Sequence, residues 1–254
     1  MVRKRASGNF QWEYLVTVKA RPMFCLPVSG LNPLRQIFAD PTSGSQGRPR
    51  RTSSFYRDSV KRHMDFIIVV LAGPIIVVVV ALLALIVFVD GGKPFYVQER
   101  VGLNGRVFRM WKLRTMEVDA DQRLEGHLAA DPAAKLEWST TQKLENDPRI
   151  TRFGGLLRKS SLDELPQFWN VLMGSMSLVG PRPMMPCQRT LYVGDAYYRL
   201  RPGITGPWQV SLRHHSSFAD RALYDFKYEQ ILSLKTDLRI LIKTVRVVCA
   251  RTGC

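Results

Sequence analysis

One segment stands apart in the hydrophobic pattern: Phe66 to Val89 runs 24 residues without a charged side chain, bounded by Asp65 and Asp90. As a straight helix it would measure roughly 36 Å, enough to cross a bilayer. Gly73-Pro74 interrupts it near one third of its length; proline withdraws a backbone donor and clashes with the preceding turn, so a kink is expected there. Beyond Gly91-Gly92 the pattern changes to alternation. Phe95 to Val101 and Val107 to Leu113 flank Gly102-Leu103-Asn104-Gly105, which predicts a β-hairpin. Residues 119 to 145 carry an exposed helical pattern, broken at Asp131-Pro132 and ended by Asp147-Pro148. Short helical stretches follow between Pro- and Gly-rich turns. From Phe218 to Tyr228 aromatic and apolar positions are interleaved with charges, as in a helix lying on a membrane surface or one packed on a core. Ahead of all this, residues 1 to 62 hold twelve Lys or Arg and three acids without a sustained period, and the first 56 read as a basic arm without fixed structure. Within it only Trp12 to Lys19 alternates like a strand, with no evident partner.

The hydrophobic fraction, 46% of 254 residues, is that of an ordinary globular protein, so composition alone does not announce a membrane protein. Charge changes the picture more. With 37 Lys and Arg against 21 Asp and Glu the chain carries +16, which implies acidic partners: nucleic acid, anionic lipid or phosphorylated substrates. The apolar segment favours the last two, and no helix-turn-helix, zinc-finger or RNA-binding signature supports the first. Cations flank the apolar segment on both sides, Arg57, Lys61 and Arg62 before it and Lys93, Arg100, Arg106, Arg109, Lys112 and Arg114 after it, which asks for both ends to face the cytoplasm. A helix broken at Gly73-Pro74 that enters and leaves one leaflet meets that demand; an ordinary kinked transmembrane helix is the other geometry the residues allow. Cys25, Cys187, Cys249 and Cys254 form no Cys-x-x-Cys pair, so neither a zinc site nor a disulfide framework is expected, and a reducing setting is. The first long apolar stretch begins only at Phe66, so anchoring rather than secretion is expected.

The most informative polar stretch is Ser160-Ser161-Leu162-Asp163-Glu164-Leu165-Pro166-Gln167, two adjacent acids between Arg158-Lys159 and an apolar helix. Ser161-x-x-Glu164 matches a helix capping box. Pro166 opposes that reading, since a helix begun at Ser161 would place proline where a donor is needed; proline suits the first helical position, with the acids in the turn before it, facing the helix's positive end. Capping and function both remain open on pattern alone. Val179-Gly180-Pro181-Arg182-Pro183 is a rigid turn presenting Arg182, a side chain suited to gripping phosphate, or simply a solvated turn. Arg201-Pro202-Gly203-Ile204-Thr205-Gly206 is a second turn-rich loop whose glycines allow close backbone approach to a ligand. Lys112-Leu113-Arg114 sets alternate cations on one face of the hairpin, toward phosphate or lipid headgroups. His214-His215 has the wrong spacing for a helical metal site.

Taken in order, Gly73-Pro74, Gln98-Glu99-Arg100-Val101-Gly102, Lys112-Leu113-Arg114-Thr115-Met116, Ser161 to Gln167, Gly180-Pro181-Arg182-Pro183 and Arg201 to Gly206 resemble the bacterial sugar transferases. These are the monotopic polyprenyl-phosphate phosphoglycosyl transferases that start surface-glycan assembly, and the chain is most similar to the galactose-1-phosphate transferases of exopolysaccharide synthesis. The resemblance covers residues 57 to 254. It implies an α+β protein reduced to the catalytic part of the larger members: a re-entrant membrane helix over 57–92 and a catalytic domain over 93–254 with a small β-hairpin and surface helices. It further implies an inner-membrane enzyme facing the cytoplasm that moves a sugar 1-phosphate from a UDP-sugar, galactose or glucose, to undecaprenyl phosphate. Asp163 would be the nucleophile and Glu164 would help hold Mg2+. Arg158 and Arg182 would contact phosphate or nucleotide, with Lys112, Arg114 and Arg201 as further phosphate-binding candidates. A homodimer and downstream glycosyltransferases are candidate partners. Two stretches depart from the family's pattern, Ser211-Leu212-Arg213-His214-His215 and Ile231-Leu232-Ser233-Leu234. The competing expectations are a non-catalytic membrane scaffold, which predicts no metal-dependent turnover, and a lipid phosphatase, which would release inorganic phosphate rather than UMP.

Overall fold

A computed structural model describes residues 16–18, 55–141, 144, 146–211 and 220–249. Most of the basic arm and the loop containing His214-His215 lie outside these residues. The fold is a mixed one: helices around two small sheets, with one long apolar helix. That helix, α1 (Lys61–Val89), continues a π-helical turn over Tyr56–Val60, and together they form one continuous helical segment of 34 residues. Among the described residues it is the helix long and apolar enough to cross a membrane. Its middle is bare: Leu71 is 75% exposed and Ile75 72%. Pro74 lies inside it.

Both ends of α1 are held by the same body of protein. At its start, Tyr56, Val60, Ile68 and Val69 pack with Val171, Met176, Leu178, Tyr228 and Ile240. Near its end, Leu83, Ala84 and Val87 pack with Phe95, Leu113, Phe153, Leu157 and Leu162. Polar groups reinforce the first contact. Asp237 is fully buried and accepts hydrogen bonds from Lys61 Nζ (2.5 Å), Tyr56 Oη (2.8 Å) and Tyr228 Oη (2.5 Å). Asp65 accepts from Ser177 Oγ at 2.7 Å and from the Leu178 N–H at 3.3 Å. Arg62 donates to the carbonyls of Val171 and Leu172. Each buried charge thus has the partners its desolvation demands.

The expected hairpin forms. β2 (Phe95–Val101) and β3 (Val107–Leu113) pair antiparallel, in register from Phe95 opposite Leu113 to Val101 opposite Val107. Asn104 and Gly105 turn the chain with positive φ, the conformation that Asn and Gly tolerate. A strand within Trp12–Lys19 exists as β1 (Val16–Val18), and its partner is β2, parallel, with Val16 opposite Phe95. α2 (Ala120–Ala130) and α3 (Pro132–Thr141) divide at Asp131, which caps α3 through its carboxylate. α4 (Arg152–Ser160) and α5 (Gln167–Leu172) flank the acidic turn, and β4 (Ser177–Val179) pairs parallel with β5 (Gly203–Thr205). Of the two readings for the Phe218–Tyr228 region, its helix α6 (Asp220–Ile231) takes the packed one, burying Ala222, Asp225 and Tyr228. The exposed amphipathic helix is instead α7 (Leu234–Cys249): Asp237 and Ile240 face inward, while Leu238, Ile242 and Val245 lie exposed beside Lys235, Arg239, Lys243 and Arg246. Contrary to the reading of the cysteine spacing, Cys187 is disulfide-bonded. A bridge requires proximity in space, and spacing along the chain carries no signal of that.

Asp237→Ala leaves the Lys61 ammonium buried without its counter-charge. A loss of about 3–5 kcal/mol is expected, measured by denaturant unfolding in detergent, together with faster proteolysis near the start of α1.

Candidate active site

The acidic turn is fixed from both sides. On the upstream side, Thr151 caps α4 by accepting from the Gly154 N–H at 2.9 Å, and α4 abuts the end of β3 so closely that a Cβ on Gly154 would lie 2.1 Å from the Thr115 carbonyl oxygen. Ser161, with φ of 57°, ends α4 in a left-handed residue and swings the chain into a 3-10 turn, Leu162–Glu164. No side-chain cap forms at Ser161, so the capping box is not what the two acids are for. The acids sit as expected, in the turn before α5, while Pro166 falls one position short of the first helical residue and caps the helix at Gln167. But α5 is six residues long, too short for its dipole to be the main field on them. On the downstream side, Asn170 of α5 takes the place of a strand partner: its amide donates to the Arg109 carbonyl (2.7 Å) and accepts from the Trp111 N–H (3.0 Å). That pins α5 to β3 and brings Lys112 over the acids.

Lys112 Nζ donates to Glu164 Oε1 at 2.6 Å and lies 3.6 Å from Asp163 Oδ2. The Asp163 side chain is 9% exposed, that of Glu164 28% and that of Lys112 23%, so the pair opens to solvent through Glu164. Burial pushes the Asp163 carboxyl up; Lys112 and Arg158 oppose this and Glu164 adds to it. For Glu164 burial also pushes upward, but Lys112, Arg182 and hydrogen bonds from Lys112 and Gln167 outweigh it and hold the group below its ordinary value. Two adjacent carboxyls are therefore driven apart, the arrangement that gives neighbouring acids different roles. Arg158, whose Nε donates to Thr115 Oγ1 at 2.8 Å, is lowered by burial and supported by the charges of Asp163 and Asp147.

The structure thus brings together Lys112, Arg158, Asp163 and Glu164, with Arg182 near enough to act on Glu164. It does not bring Arg114 or Arg201 to them. Arg114 is buried and donates to the Val87 carbonyl at 2.9 Å, closing the end of α1; the strand stops at Leu113, and alternation with Lys112 ends with it. Arg201 donates to the Gly174 carbonyl and lies with Arg57, Lys61 and Arg62 beside the start of α1. The glycines of its loop serve a backbone contact: a Cβ on Gly206 would lie 2.0 Å from the Gly180 carbonyl oxygen, and Gly203 N–H donates to the Pro181 carbonyl at 2.9 Å. This contact sets the turn that presents Arg182. Several neighbours of the site were not among its candidate residues. Arg100 donates to the Pro183 carbonyl and to Gln98, and burial lowers it to about 10. Trp208 lies under the guanidinium groups of Arg182 (5.5 Å) and Arg221 (4.4 Å).

Lys112 thus crosses an acid pair flanked by arginines, and the segments on either side of that pair pack against the two ends of the apolar helix. The chain belongs to the Bacterial sugar transferase family, whose profile matches residues 56–251. It is 46% identical over 190 residues to the UDP-galactose-lipid carrier transferase of Erwinia amylovora, covering 72% of this chain and 40% of that protein. It is 44% identical over 199 residues to the exopolysaccharide production protein ExoY of Sinorhizobium fredii, covering 76% and 87%. With the UDP-glucose:undecaprenyl-phosphate glucose-1-phosphate transferase of Xanthomonas campestris it shares 41% over 173 residues, 64% of this chain and 33% of that one. The matched part therefore spans less than half of two of these relatives and most of the third.

Because Lys112 is what pulls Asp163 down against burial, Lys112→Met will shift the Asp163 carboxyl titration further upward and release Glu164 from its lowered position. Carboxylate-detected NMR titration of this variant and the wild type reads both directions at once.

Proposed function

We propose that this protein is a phosphoglycosyl transferase of the cytoplasmic membrane that moves a sugar 1-phosphate from a UDP-sugar to undecaprenyl phosphate, the first step of an exopolysaccharide. The observation that carries the reading is the buried Asp163 held beside Glu164, Lys112 and Arg158. In the first step a carboxylate oxygen of Asp163 attacks the phosphorus bonded to the sugar. A P–O bond to the uridine-bearing phosphate breaks, its electron pair leaves with UMP, and the sugar phosphate stays on Asp163 as an acyl phosphate. A phosphate oxygen of undecaprenyl phosphate then attacks the same phosphorus and returns the carboxylate. Lys112 and Arg158 offset the repulsion between the incoming diphosphate and Asp163, and Arg182 receives charge on the outer phosphate.

Mg2+ belongs to the proposal. Among the described residues no three His, Cys, Asp or Glu side chains converge, but a magnesium site needs only one or two carboxylates when substrate phosphates and water complete it, and Glu164 meets that requirement. Bound there, the ion would neutralise charge on the diphosphate. Relatives named for galactose and for glucose leave both hexoses as donors.

The membrane placement rests on α1. Both of its ends pack on one body of protein, and its bare middle between them suits a helix that dips into one leaflet and returns. The exposed apolar and basic side chains of α7, held to the start of α1 through Asp237 and Lys61, suit a neighbouring position on the lipid surface. Reporter fusions at the two termini will both read cytoplasm; readings on opposite sides would mean a spanning helix. Purified protein given Mg2+, undecaprenyl phosphate and UDP-galactose or UDP-glucose will release UMP, and Asp163→Asn will abolish release. Release that survives this substitution, or no release from folded wild type with either donor, overturns the reading.

A further inference from the structure

The turn that presents Arg182 is shaped by β5, and β5 has a side-chain tie of its own. Gly180 N–H donates to the Thr205 carbonyl at 2.8 Å, and a Cβ on Gly180 would run into the Arg201 carbonyl, so the backbone of the turn lies flush on this segment. Just past β5, Trp208 borders a small recess and lies under the Arg182 guanidinium at 5.5 Å. Residues 203–208 therefore supply both the backbone that shapes the Arg182 turn and the ring beneath its side chain. Thr205 ties that segment to α7: its side chain is buried, and its Oγ1 lies 2.6 Å from Oγ1 of Thr244. A hydroxyl has one proton, and that of Thr244 is directed at the Ile240 carbonyl one turn back, 2.9 Å away. Thr205 is thus the donor and Thr244 the acceptor. Asp237, Ile240 and Thr244 follow one another at three- and four-residue steps, along one face of the helix. The helix that is joined to Lys61 through Asp237 is therefore joined to β5 through Thr244.

We propose that Thr205 and Thr244 are positioning residues for the reaction: their hydroxyl pair sets β5 against α7 and thereby aims Arg182 at the phosphate that leaves. For its effect on turnover the proposal rests on the transferase reading. Both threonines act through the Gly180 backbone contact and Trp208, and Arg182 is the group that meets the charge. Removing the acceptor leaves the buried Thr205 hydroxyl without its partner, and β5 shifts to find another. A displacement of about 1 Å in a group that offsets charge is enough to cost a large part of the rate.

The test is Thr244→Val, which keeps the shape of the side chain and removes the acceptor, with two readouts on the full chain in detergent. The first needs no substrate: the Arg182 side-chain N–H resonance, assigned by its loss in Arg182→Lys and displaced by the Trp208 ring, will move in Thr244→Val and return in Thr244→Ser. The second is UMP release: kcat is expected to fall about tenfold with KM for the UDP-sugar nearly unchanged. Adding Thr244→Val to Arg182→Ala will cost nothing further, because the threonine acts through the arginine. A wild-type Arg182 resonance or a wild-type kcat in folded Thr244→Val overturns the proposal, as does a loss that persists when Arg182→Ala is already present. Should Thr244→Val not fold, the pair Thr205→Val and Thr244→Val leaves no orphaned hydroxyl and is judged by the same readouts. Wild type that releases no UMP brings down the transferase reading instead, and the resonance then decides whether the threonines place Arg182.

Discussion

The ion pair between Lys61 and Asp237 is the constraint on which the rest of the structure depends. A buried carboxylate and ammonium are costly to desolvate, and the pair is tolerable only because two tyrosine hydroxyls complete the coordination of Asp237. The four side chains come from the start of the apolar helix, from α6 and from α7. Satisfying them therefore fixes where the apolar helix leaves the protein and which way α7 is turned. Hydrophobic contact alone would not specify this, since one greasy face can slide on another; a charge with three directional donors cannot.

The same logic operates at the acids on a smaller scale. Asp163 would be more comfortable in water, and the fold holds it inside by two backbone-level contacts, the Gly154 approach to Thr115 and the Asn170 bridge to β3. Those contacts carry Lys112 and Arg158 to the carboxyl that needs them. Burial and cations act in opposition on Asp163, while on Glu164 the cations prevail. The difference follows from position: Glu164 meets the lysine at hydrogen-bond distance and also feels Arg182.

Much of this was legible in the sequence where the signal is local. Alternation gave the hairpin its bounds because strand periodicity and turn residues are properties of consecutive positions, and Pro166 located the acids ahead of a helix for the same reason. What depends on distant partners was not legible. Arg114 looked equivalent to Lys112, yet the strand ends between them and the arginine is drawn to the last turn of the apolar helix. Arg201 looked like a ligand group but belongs to the other end of that helix. The choice between α6 and α7 as the exposed amphipathic helix turned on Tyr228 and Asp225 finding partners in segments 30 or more residues away. The recess around Trp208 is likewise assembled from remote segments.

Pro74 has an effect reaching past the geometry of its helix. Lacking an N–H, it leaves the carbonyl of Val70 without the donor a regular helix would supply, and an unanswered carbonyl in hydrocarbon costs several kcal/mol. Val70 stands only five residues beyond Asp65, roughly 7–8 Å along the axis, shallow enough for water to follow it from the headgroups. In a helix that dips into one leaflet as proposed above, going deeper would strand that oxygen in oil, so the wetting of one backbone atom, as well as length, would limit how far the protein sinks.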